Sequence, residues 1–428
     1  MKIYRHPERA EWAAITARPT FDLTQLREGV SALLDRIRTG GDAALRELEA
    51  RFDHAELTDL QVSEAEFEAA RRAVSPALAA AIDAAAQHIA AFHESQRTVH
   101  AKVETAPGVT CWQRDVPIDR VGLYVPGGTA PLFSTVLMLA VPARIAGCPE
   151  VVLCSPPDAG GRLHPAILYA AWRAGVTRVF KLGGVQAIGA MAYGTESVPR
   201  VYKIFGPGNQ YVQMAKQLVS LQGVALDMPA GPSEVAVVAD AEADAEFVAS
   251  DFLSQAEHGA DSQAILFTVS ADFAERFAAV LEGQLAQLSR QELTRRSLEH
   301  SKIVVVRDED ELMELVNEYA PEHLILQTRN YAALADRVRN AGSVFLGPYS
   351  PESAGDYASG TNHTLPTGGY AKAYNGVNLD SYVRKVTFQE LTADGLRRLG
   401  PVIEEMAAAE RLDAHKNAVT VRLERLKP

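Results

Sequence analysis

The sequence predicts an α/β fold made of two modules, and three observations carry this prediction. From residue 121 onward, short runs rich in Val and Ile alternate with Ala-rich amphipathic segments. The alternation occurs in two successive series, and such series are typical of βαβ units around a parallel sheet. A chain of 428 residues, 47% of them hydrophobic, is also long enough for two or three packing units of roughly 150 residues each.

The elements follow in order along the chain. Residues 1 to about 105 are predicted to be helical, because Ala, Glu, Leu and Arg dominate and apolar residues recur at helical spacing. The first series has the predicted strands VGLYVP, EVVLCSP, RVFKLGG and RVYKIFGPGN, with helices near 131–147 and 164–175 and another after the third strand. The second series has SEVAVVAD, AILFTVS, SKIVVVRD, HLILQT and SVFLGP. We expect the seam between the two near residues 228–232.

The last part of the chain differs in composition. Residues 347–376 are rich in Gly, Ser, Tyr and Thr, and so long a loop inside a compact protein is usually functional or disordered. From about Leu391 the sequence is predicted to be helical again, with a break at Pro401.

Charge and cysteine content exclude several classes of protein. The chain has 42 Lys and Arg against 54 Asp and Glu, a net charge of -12 without basic blocks, which argues against nucleic acid or anionic membrane as the main partner. The sequence predicts neither a membrane-spanning helix nor a signal peptide. Its three cysteines form no CxxC pair and no even disulfide set, so we expect a cytoplasmic protein.

Three glycine-containing segments raise the question of a nucleotide. GPGNQY at 206–211 has the first two glycines of the dinucleotide fingerprint but Tyr211 at the third. GGVQAIGAMAYG at 183–194 and VPGGTAP at 125–131 follow predicted strands, and the helix start after such a turn can offer amide donors to an anion. Tyr124 is a candidate stacking surface. An ordinary strand-to-helix turn and a cofactor loop both remain open for these segments.

The segment SDFLSQAEHGADSQ suggests a metal site. Gln255 and His258 are three residues apart on a predicted helix, so they lie on the same side, and Gly259 is a natural helix end. A neutral oxygen and an imidazole at this spacing can hold a divalent metal, although Gln is an uncommon ligand. The alternative is a helix C-terminus with a His favoured by the helix dipole.

The segment NEYAPEHL places a Glu and a His at a change of secondary structure. A helical pattern ends at Pro321 and the strand HLILQT begins at once, so Glu322 and His323 lie at the junction. Adjacent residues on an extended segment point in opposite directions. The pair could therefore serve two separate proton transfers instead of forming one hydrogen-bonded dyad, or it could be an ordinary polar junction.

Further candidates lie nearer the C-terminus. The long loop contains Glu352, Asp356 and His363; Asp356 could complete a metal shell, and His363 could contact a polar or anionic substrate group. Glu410 and His415 are five residues apart on the predicted C-terminal helix, about 140° around it. They should therefore not face one ligand unless the helix bends or the substrate lies between them.

Seven segments, taken together, are far more specific than any of these patterns alone. They are VGLYVPGGTAPLFSTVLM, IFGPGNQYV, DMPAGPSEV, DFLSQAEHGADSQ, NEYAPEHL, YSPESAGDYASGTNHTLPTGGYA and EEMAAAERLDAHKNAV. In this order they are similar to segments of the histidinol dehydrogenase family, and the resemblance extends over essentially the whole chain.

The resemblance implies an enzyme that uses zinc and NAD to oxidise L-histidinol through L-histidinaldehyde to L-histidine, the last steps of histidine biosynthesis. The implied zinc ligands are Gln255, His258, Asp356 and His415. The implied acid–base residues are Glu322 and His323. The implied substrate contacts are Ser233, His363 and Glu410, together with the zinc ligands and the acid–base pair. The implied NAD contacts are Tyr124, Gln186 and Asn209.

The resemblance also implies the architecture: two Rossmann-like modules without the usual glycine fingerprint, plus small N- and C-terminal helical arms. In a homodimer these arms would be exchanged, and His415 could complete the site of its own subunit or that of the partner. The expected ranges are an N-terminal arm at 1–25, a zinc module at 26–119 with 236–376, an NAD module at 120–235 and a C-terminal arm at 377–428.

The residue types suit this chemistry. The imidazole of His323 is suited to exchanging a proton with an alcohol near neutral pH. An aldehyde cannot give a second hydride until water adds, and Glu322 can activate that water. With all four ligands from protein, zinc would hold the substrate instead of generating hydroxide. The three cysteines are expected to be packing residues, because Cys148 and Cys154 flank a predicted buried strand and Cys111 lies in a segment with no obvious base.

Two other functions remain as alternatives. A related zinc and NAD dehydrogenase could oxidise another small polar alcohol, such as a sulfonated diol. Glu410 and His363 favour a cationic, imidazole-bearing substrate, whereas a sulfonate would call for Arg or Lys there. The other alternative is a zinc hydrolase on an α/β scaffold, or a non-catalytic relative. A hydrolase would bind no NAD and would need an open water position on the metal.

Overall fold

The computed structural model describes residues 1–19, 23–127, 130–229 and 231–427. Two of the segments discussed above, 125–131 and 228–232, include residues outside this description, namely 128–129 and 230. The chain forms two compact units, Met1–Gln96 with Asp119–Tyr382 and Arg97–Ile118 with Val383–Pro428. In the described part of the chain, none of the helices is both long enough and apolar enough to span a membrane.

The strands and helices alternate as predicted for an α/β protein. The strands are β1 (Lys2–Arg5), β2 (Val103–Ala106), β3 (Val109–Pro117), β4 (Arg120–Tyr124), β5 (Glu150–Ser155), β6 (Arg178–Lys181), β7 (Lys203–Phe205), β8 (Ala225–Leu226), β9 (Glu234–Ala239), β10 (Gln263–Thr268), β11 (Lys302–Val305), β12 (His323–Gln327), β13 (Ser343–Leu346) and β14 (Val383–Leu391).

The α-helices range from one turn to thirty residues. They are α1 (Trp12–Thr16), α2 (Leu23–Phe52), α3 (Glu64–Ala73), α4 (Pro76–Glu94), α5 (Phe133–Ala146), α6 (Pro165–Ala174), α7 (Gly184–Tyr193), α8 (Gln210–Ser220), α9 (Ala245–Ala256), α10 (Ala271–Leu285), α11 (Gln291–His300), α12 (Glu309–Tyr319), α13 (Tyr331–Ala335), α14 (Glu352–Tyr357), α15 (Ala393–Ala409) and α16 (Asp413–Arg425).

The first series of strands forms a parallel sheet in the order β6-β5-β4-β7-β8. The chain starts in the middle, moves outward to β6, and then crosses to the other side at β7. This is the strand order of doubly wound dinucleotide folds, in which ligands bind at the carboxyl ends of the strands beside the point where the order reverses. In this sheet that point lies between β4 and β7.

The second series forms a six-stranded parallel sheet in the order β1-β11-β10-β9-β12-β13. Strands β9 to β13 repeat the order of the first sheet, so the prediction of two Rossmann-like modules is confirmed. The outermost strand β1 pairs Lys2 with Lys302. The N-terminus was predicted to be helical, and this was wrong for β1: a four-residue strand is too short to show a period, and its partner is distant in sequence.

The N-terminal helices α2, α3 and α4 pack against the helices around the five-stranded sheet. Apolar residues of α2 such as Val30, Leu34 and Ile37 share one core with Val152 and Phe180 of that sheet. Helices α2, α3 and α4 therefore pack with the five-stranded sheet, whereas residues 26–119 were expected to form one module with residues 236–376. The six-stranded sheet has separate cores on its two faces.

The second unit contains the antiparallel sheet β14-β3-β2 together with α15 and α16. The region 377–428 was predicted to be helical, yet β14 is a strand because its side chains pair with those of β3, for example through the stacked rings of Trp112 and Phe388. Pro401 lies within α15 and does not end it. The break comes after Ala409, where Arg411 has a φ of 59°.

Candidate active site

Two groups of polar side chains lie in the first unit. One lies at the amino ends of β9 and β12, in the six-stranded sheet, and includes three of the predicted zinc ligands and both acid–base residues. The other lies at the carboxyl ends of the five-stranded sheet and includes the predicted NAD contacts. In each group the side chains come together because neighbouring parallel strands begin, or end, at the same edge of their sheet.

The C-terminal end of α9 carries the first two metal candidates. Asp244 caps the start of this helix, and Gln255 lies buried in its last turn. His258 follows the helix and is exposed. With its amide oriented so that both ends are satisfied, Gln255 donates a hydrogen bond to Glu352 and accepts one of 2.9 Å from the backbone N–H of Glu234.

Three side chains form a cluster with the spacing of a metal site. One ligand atom each from His258, Glu352 and Asp356 lie within 4.8 Å of one another. Glu352 and Asp356 are one turn apart on α14, so their carboxylates share one side of this helix. A nitrogen donor and two carboxylate oxygens suit a divalent cation such as zinc.

The helix-to-strand junction after α12 carries the acid–base candidates. The helix ends at Ala320, which has a left-handed backbone with a φ of 51°, and β12 begins at His323. Glu322 accepts a hydrogen bond of 2.9 Å from the backbone N–H of Glu234. This contact fixes the carboxylate at the amino end of the neighbouring strand β9.

The two side chains of the junction converge on one place. His323 Nδ1 lies 3.7 Å from Glu322 Oε2, and His323 Nε2 lies 3.6 Å from Asp356 Oδ1. Both distances exceed a normal hydrogen bond, so the Glu and the His form no hydrogen-bonded dyad. They are nevertheless neighbours, closer than the alternation of an extended strand suggested.

Burial and charge shift the proton affinities of both groups. Burial raises the pKa of Glu322 to about 7, opposed in part by His323 and by the backbone N–H of Glu234. Burial alone would lower the pKa of His323, but the carboxylates of Glu352, Glu322 and Asp356 raise it to about 10. The excess of carboxylates over bases at this place favours a bound cation.

Ser233 and His363 border this cluster. Ser233 directly precedes β9, and its carbonyl accepts a hydrogen bond of 3.1 Å from the N–H of Gln263. The half-buried His363 lies with its Nε2 3.5 Å from Thr135 Oγ1 on α5. Because α5 follows β4, His363 links the metal cluster to the module of the five-stranded sheet.

Glu410 and His415 lie in the second unit, and the side chains of both are exposed. Glu410 follows α15, and His415 lies in the first turn of α16. The turn between the two helices means that the angle of about 140° for one straight helix does not apply. Three of the four expected zinc ligands, Gln255, His258 and Asp356, therefore belong to the first unit, and the fourth, His415, belongs to the second.

The three predicted NAD contacts all line one cavity of about 1320 Å³ at the carboxyl ends of the five-stranded sheet. Tyr124 is the last residue of β4, and its hydroxyl accepts a hydrogen bond of 3.1 Å from the N–H of Gly184. Asn209 caps α8 by accepting from the N–H groups of Tyr211 and Val212, both at 3.1 Å. Residues from three sequence segments, each of them weak evidence for a nucleotide site when taken alone, therefore line the same cavity.

The start of α7 is held by side chains of the protein itself. Gly183 N–H donates to Glu49 at 3.0 Å, and Gly184 N–H donates to Tyr124. The Gln186 amide donates to Glu49 at 3.2 Å and to Asp53 at 3.4 Å. The turn at 183–194 therefore does not present these two amides to an anion, which favours the interpretation as an ordinary turn at this point.

None of the cysteines is a candidate site residue, although Cys154 on β5 pairs with Tyr124 on β4. Cys148 and Cys154 are buried, and Cys111 is half-buried on β3. Burial raises the pKa of the Cys154 thiol, which disfavours the nucleophilic thiolate. This is consistent with the expected role as packing residues.

A family model described as histidinol dehydrogenase matches residues 16–423. The chain belongs to the histidinol dehydrogenase family. It is 61% identical to a histidinol dehydrogenase of Bacteroides thetaiotaomicron, with all of both chains covered. It is 52% identical to a histidinol dehydrogenase of Escherichia coli K12, covering 97% of this chain and 98% of the relative.

A solved structure agrees with this membership. The crystal structure of histidinol dehydrogenase from Elizabethkingia anophelis superposes with a TM-score of 0.97 at 50% sequence identity, covering 100% of this chain and 98% of the other. The α/β architecture of this chain therefore matches that of a histidinol dehydrogenase over its whole length.

Some residues of the candidate site in this histidinol dehydrogenase family member were given no role from the sequence. Glu352 was named only as part of the long loop, yet it completes the cluster with His258 and Asp356, and its spacing of four residues from Asp356 was an available signal. The Gly- and Ser-rich composition of the segment concealed the short helix that brings the two together. Glu49 and Asp53, beside Gln186, lie in an ordinary Ala- and Glu-rich stretch with no distinguishing pattern.

Proposed function

We propose that the chain is a zinc- and NAD-dependent histidinol dehydrogenase that oxidises L-histidinol through L-histidinaldehyde to L-histidine, in the last steps of histidine biosynthesis. Membership of the family supports the reaction. The observation that carries the proposal is the meeting of Glu322, His323 and Asp356 beside a cluster suited to a cation. Proton-transfer groups and a metal cluster at one place are what this reaction needs.

The residues present fit a zinc ion. His258 and Asp356 offer nitrogen and oxygen donors at suitable spacing, and Gln255 and His415 complete the proposed ligand set. In the orientation in which its amide nitrogen donates to Glu352, the carbonyl oxygen of Gln255 accepts one hydrogen bond from the N–H of Glu234, and the second lone pair of that oxygen is available to a metal. Bound zinc would supply a Lewis-acidic template for the imidazole and amine of the substrate.

The cavity beside the five-stranded sheet fits NAD. Its volume of about 1320 Å³ exceeds the usual range of roughly 300 to 1,000 Å³ for small-molecule sites, as an extended dinucleotide requires. Tyr124, Gln186 and Asn209 line it and are the proposed NAD contacts. Bound NAD would accept a hydride in each of two successive oxidations.

The acid–base residues have separate tasks in this proposal. The positive charges of a bound zinc ion and of the substrate would oppose the carboxylates that raise the pKa of His323, which favours the neutral imidazole. In the first oxidation this neutral His323 takes the hydroxyl proton of the alcohol as the hydride leaves the same carbon. Water then adds to the aldehyde, and Glu322 takes the proton of that water. The deprotonated hydrate formed in this way loses the second hydride and its remaining hydroxyl proton, and becomes the carboxylate of the product. The hydrogen bond from the N–H of Glu234 holds the Glu322 carboxylate for this task.

The charge of the site supports a cationic substrate. Glu322, Glu352 and Asp356 surround His323, and a sulfonate would meet these carboxylates at unfavourable energy. Ser233, His363 and Glu410 are the proposed further substrate contacts. The alternative of a sulfonated diol is therefore not favoured.

We also propose a homodimer with an exchanged C-terminal arm. The exposure of Glu410 and His415 in the single chain supports this arrangement, because a ligand and a substrate contact are expected to be enclosed by protein in the working enzyme. A cytoplasmic location stays a prediction from the cysteine content.

Substrate oxidation can be tested directly. The protein is loaded with zinc, mixed with NAD, and given either L-histidinol or a sulfonated diol, while the absorbance of the reduced nicotinamide is recorded. We expect reduction with histidinol only, loss of activity on chelation, and recovery on addition of zinc. No reduction with histidinol, or faster reduction with the diol, would overturn the proposal.

A further inference from the structure

The NAD cavity contains a carboxylate that none of the roles above uses. Asp53 directly follows α2, lines the cavity and is half-buried. Glu49 lies one turn earlier in the same helix and is fully buried behind it. Two acidic residues in contact at a ligand cavity require a physical account, since their mutual repulsion is unfavourable unless one of them is neutral.

Asp53 lies at the ends of the second and third strands of the module. A Cβ atom built on Gly183 would be 2.7 Å from Asp53 Oδ2 and 2.8 Å from Pro156 Cβ. Pro156 directly follows β5, and Gly183 comes two residues after β6. The carboxylate of Asp53 is therefore at the edge of the sheet where the strands point their carboxyl ends.

This is the place where dinucleotide folds need an acidic residue. In such folds an Asp or Glu about 20 residues beyond the glycine loop, near the end of the second strand, binds the ribose hydroxyls. Here β5 is followed by Pro156 and Pro157. Asp158 comes next, but its carboxylate accepts hydrogen bonds from the N–H groups of Gly160 and Arg162 in its own loop.

Neighbouring side chains hold the Asp53 carboxylate in position. The Gln186 amide donates to Asp53 Oδ2 at 3.4 Å and to Glu49 Oε1 at 3.2 Å. Glu49 also accepts from the N–H of Gly183. Burial, followed by the adjacent Asp53 carboxylate, raises the pKa of Glu49 to about 9, and burial also raises the pKa of Asp53. Glu49 is fully buried whereas Asp53 is half-buried and lines the cavity, so we expect the proton of the pair on Glu49 and the negative charge on Asp53.

We propose that Asp53 binds the hydroxyls of the adenosine ribose of NAD and thereby makes the cavity selective for NAD over NADP. This inference rests on the proposed use of NAD. Hydroxyl groups donate strong hydrogen bonds to a carboxylate, whereas the 2′-phosphate of NADP would bring negative charge against it. The cavity also contains Arg162, but this guanidinium lies 3.8 Å from the Asp158 carboxylate, which offsets its attraction for a phosphate.

Binding measurements test this without turnover. Zinc-loaded protein without histidinol is titrated in a calorimeter with NAD, NADP and 2′-deoxy-NAD. We expect NAD to bind the wild type about tenfold or more tightly than either analogue, the range expected for a hydrogen bond to a charged group. Asp53→Asn should weaken NAD binding by a similar factor and leave the affinity for 2′-deoxy-NAD nearly unchanged. The affinities of this variant for NAD and NADP should therefore lie closer together than those of the wild type.

Glu56→Gln is the matched control. It removes one negative charge from an exposed side chain three residues after Asp53 that is not among the residues lining the cavity. We expect its preference for NAD over NADP to stay within about twofold of the wild type. An equal shift in both variants would overturn the inference, because it would show an effect of net charge alone.

Two further results would also overturn it: wild-type protein that binds NAD and NADP equally, or an Asp53→Asn variant with wild-type affinities. Failure of this variant to fold would leave the decision to the wild-type comparison of NAD with its two analogues. If histidinol reduces NAD but these affinities do not differ, the proposed function stands and only the role of Asp53 falls. If NAD neither binds nor is reduced, the proposed function itself fails.

Discussion

The Nε2 atom of His323 lies 3.6 Å from the Oδ1 atom of Asp356. This relationship brings a proposed acid–base residue next to a proposed zinc ligand. On its other side, His323 Nδ1 lies 3.7 Å from the carboxylate of Glu322. Loss of activity at any of these three residues could therefore reflect lost proton transfer or lost zinc, and measurements must separate the two.

Removing the proton-transfer groups should abolish turnover and leave zinc in place. His323→Asn and Glu322→Gln keep the approximate size of each side chain but not its ability to accept a proton. We expect kcat to fall by about 10² to 10⁴ in each variant, the usual contribution of a general acid or base. Metal analysis of the purified variants should give the same zinc content as the wild type; loss of zinc would show that ligand and acid–base roles have been confused.

Removing a proposed ligand should have the opposite signature. His258→Asn takes the nitrogen donor from the cluster with Glu352 and Asp356. We expect zinc affinity to fall by more than the roughly 10- to 100-fold that is typical for residues that only support a ligand, measured by competition with a chelator. His300→Asn, at the exposed end of α11, is the control and should bind zinc normally. Unchanged affinity in His258→Asn would remove this residue from the metal site.

A buried ion pair supports the strand that carries the site. Arg18 Nε donates to Glu234 at 2.5 Å, and the guanidinium lies 4.2 Å above the ring of Tyr319. The Glu234 side chain is only 2% exposed, so Arg18→Met would leave a buried carboxylate without its cation. We expect a loss of about 3 to 5 kcal/mol in the free energy of unfolding, measured by urea denaturation.

The control for this change is an exposed ion pair. Arg295 lies 3.3 Å from Glu282, and both side chains are largely exposed. Arg295→Met should cost less than about 1 kcal/mol. Equal losses in Arg18→Met and Arg295→Met would contradict the stabilising role of the buried pair.

The buried Glu49 should make stability depend on pH. Its pKa in the folded protein is raised to about 9, from 4.5 in the absence of the fold, by burial and then by Asp53. Between these values the folded protein holds a proton that the unfolded chain releases. The stability associated with neutral Glu49 is therefore present in full below about pH 4.5 and is lost as the pH rises toward about 9, by up to about 1.4 kcal/mol per pH unit.

Glu49→Gln mimics the neutral carboxyl group and should remove this dependence. We expect the variant to gain stability relative to the wild type as the pH rises through that interval, measured by denaturation at several pH values. Glu56→Gln, at an exposed position shortly after α2, should run parallel to the wild type. A Glu49→Gln curve that is also parallel to the wild type would show that Glu49 is ionised in the folded protein.

Local patterns predicted the sheets well, and failed where pairing is distant or elements are short. Runs such as EVVLCSP and HLILQT match β5 and β12, because buried parallel strands are continuous apolar segments. The edge strand β1 depends on pairing with β11, nearly 300 residues later. The break between α15 and α16 at Arg411, and not at Pro401, likewise depends on packing and not on helix propensity alone.

The same limit applies to the candidate site. The helix end at Gln255 and His258 and the junction at Glu322 and His323 are local features and could be predicted from their segments. That His323 meets Asp356, three elements later, follows only from the strand order of the sheet. The contact of Asp53 with Gln186 arises in the same way, from α2 packing on α7.

The account's central claim is that one site oxidises histidinol twice. The most direct test is to give zinc-loaded protein a limiting amount of L-histidinol with excess NAD, and to count reduced cofactor and histidine at completion. The account predicts two reduced cofactors for each histidinol consumed and histidine as the product. One reduced cofactor with accumulating aldehyde, or none at all, would contradict it.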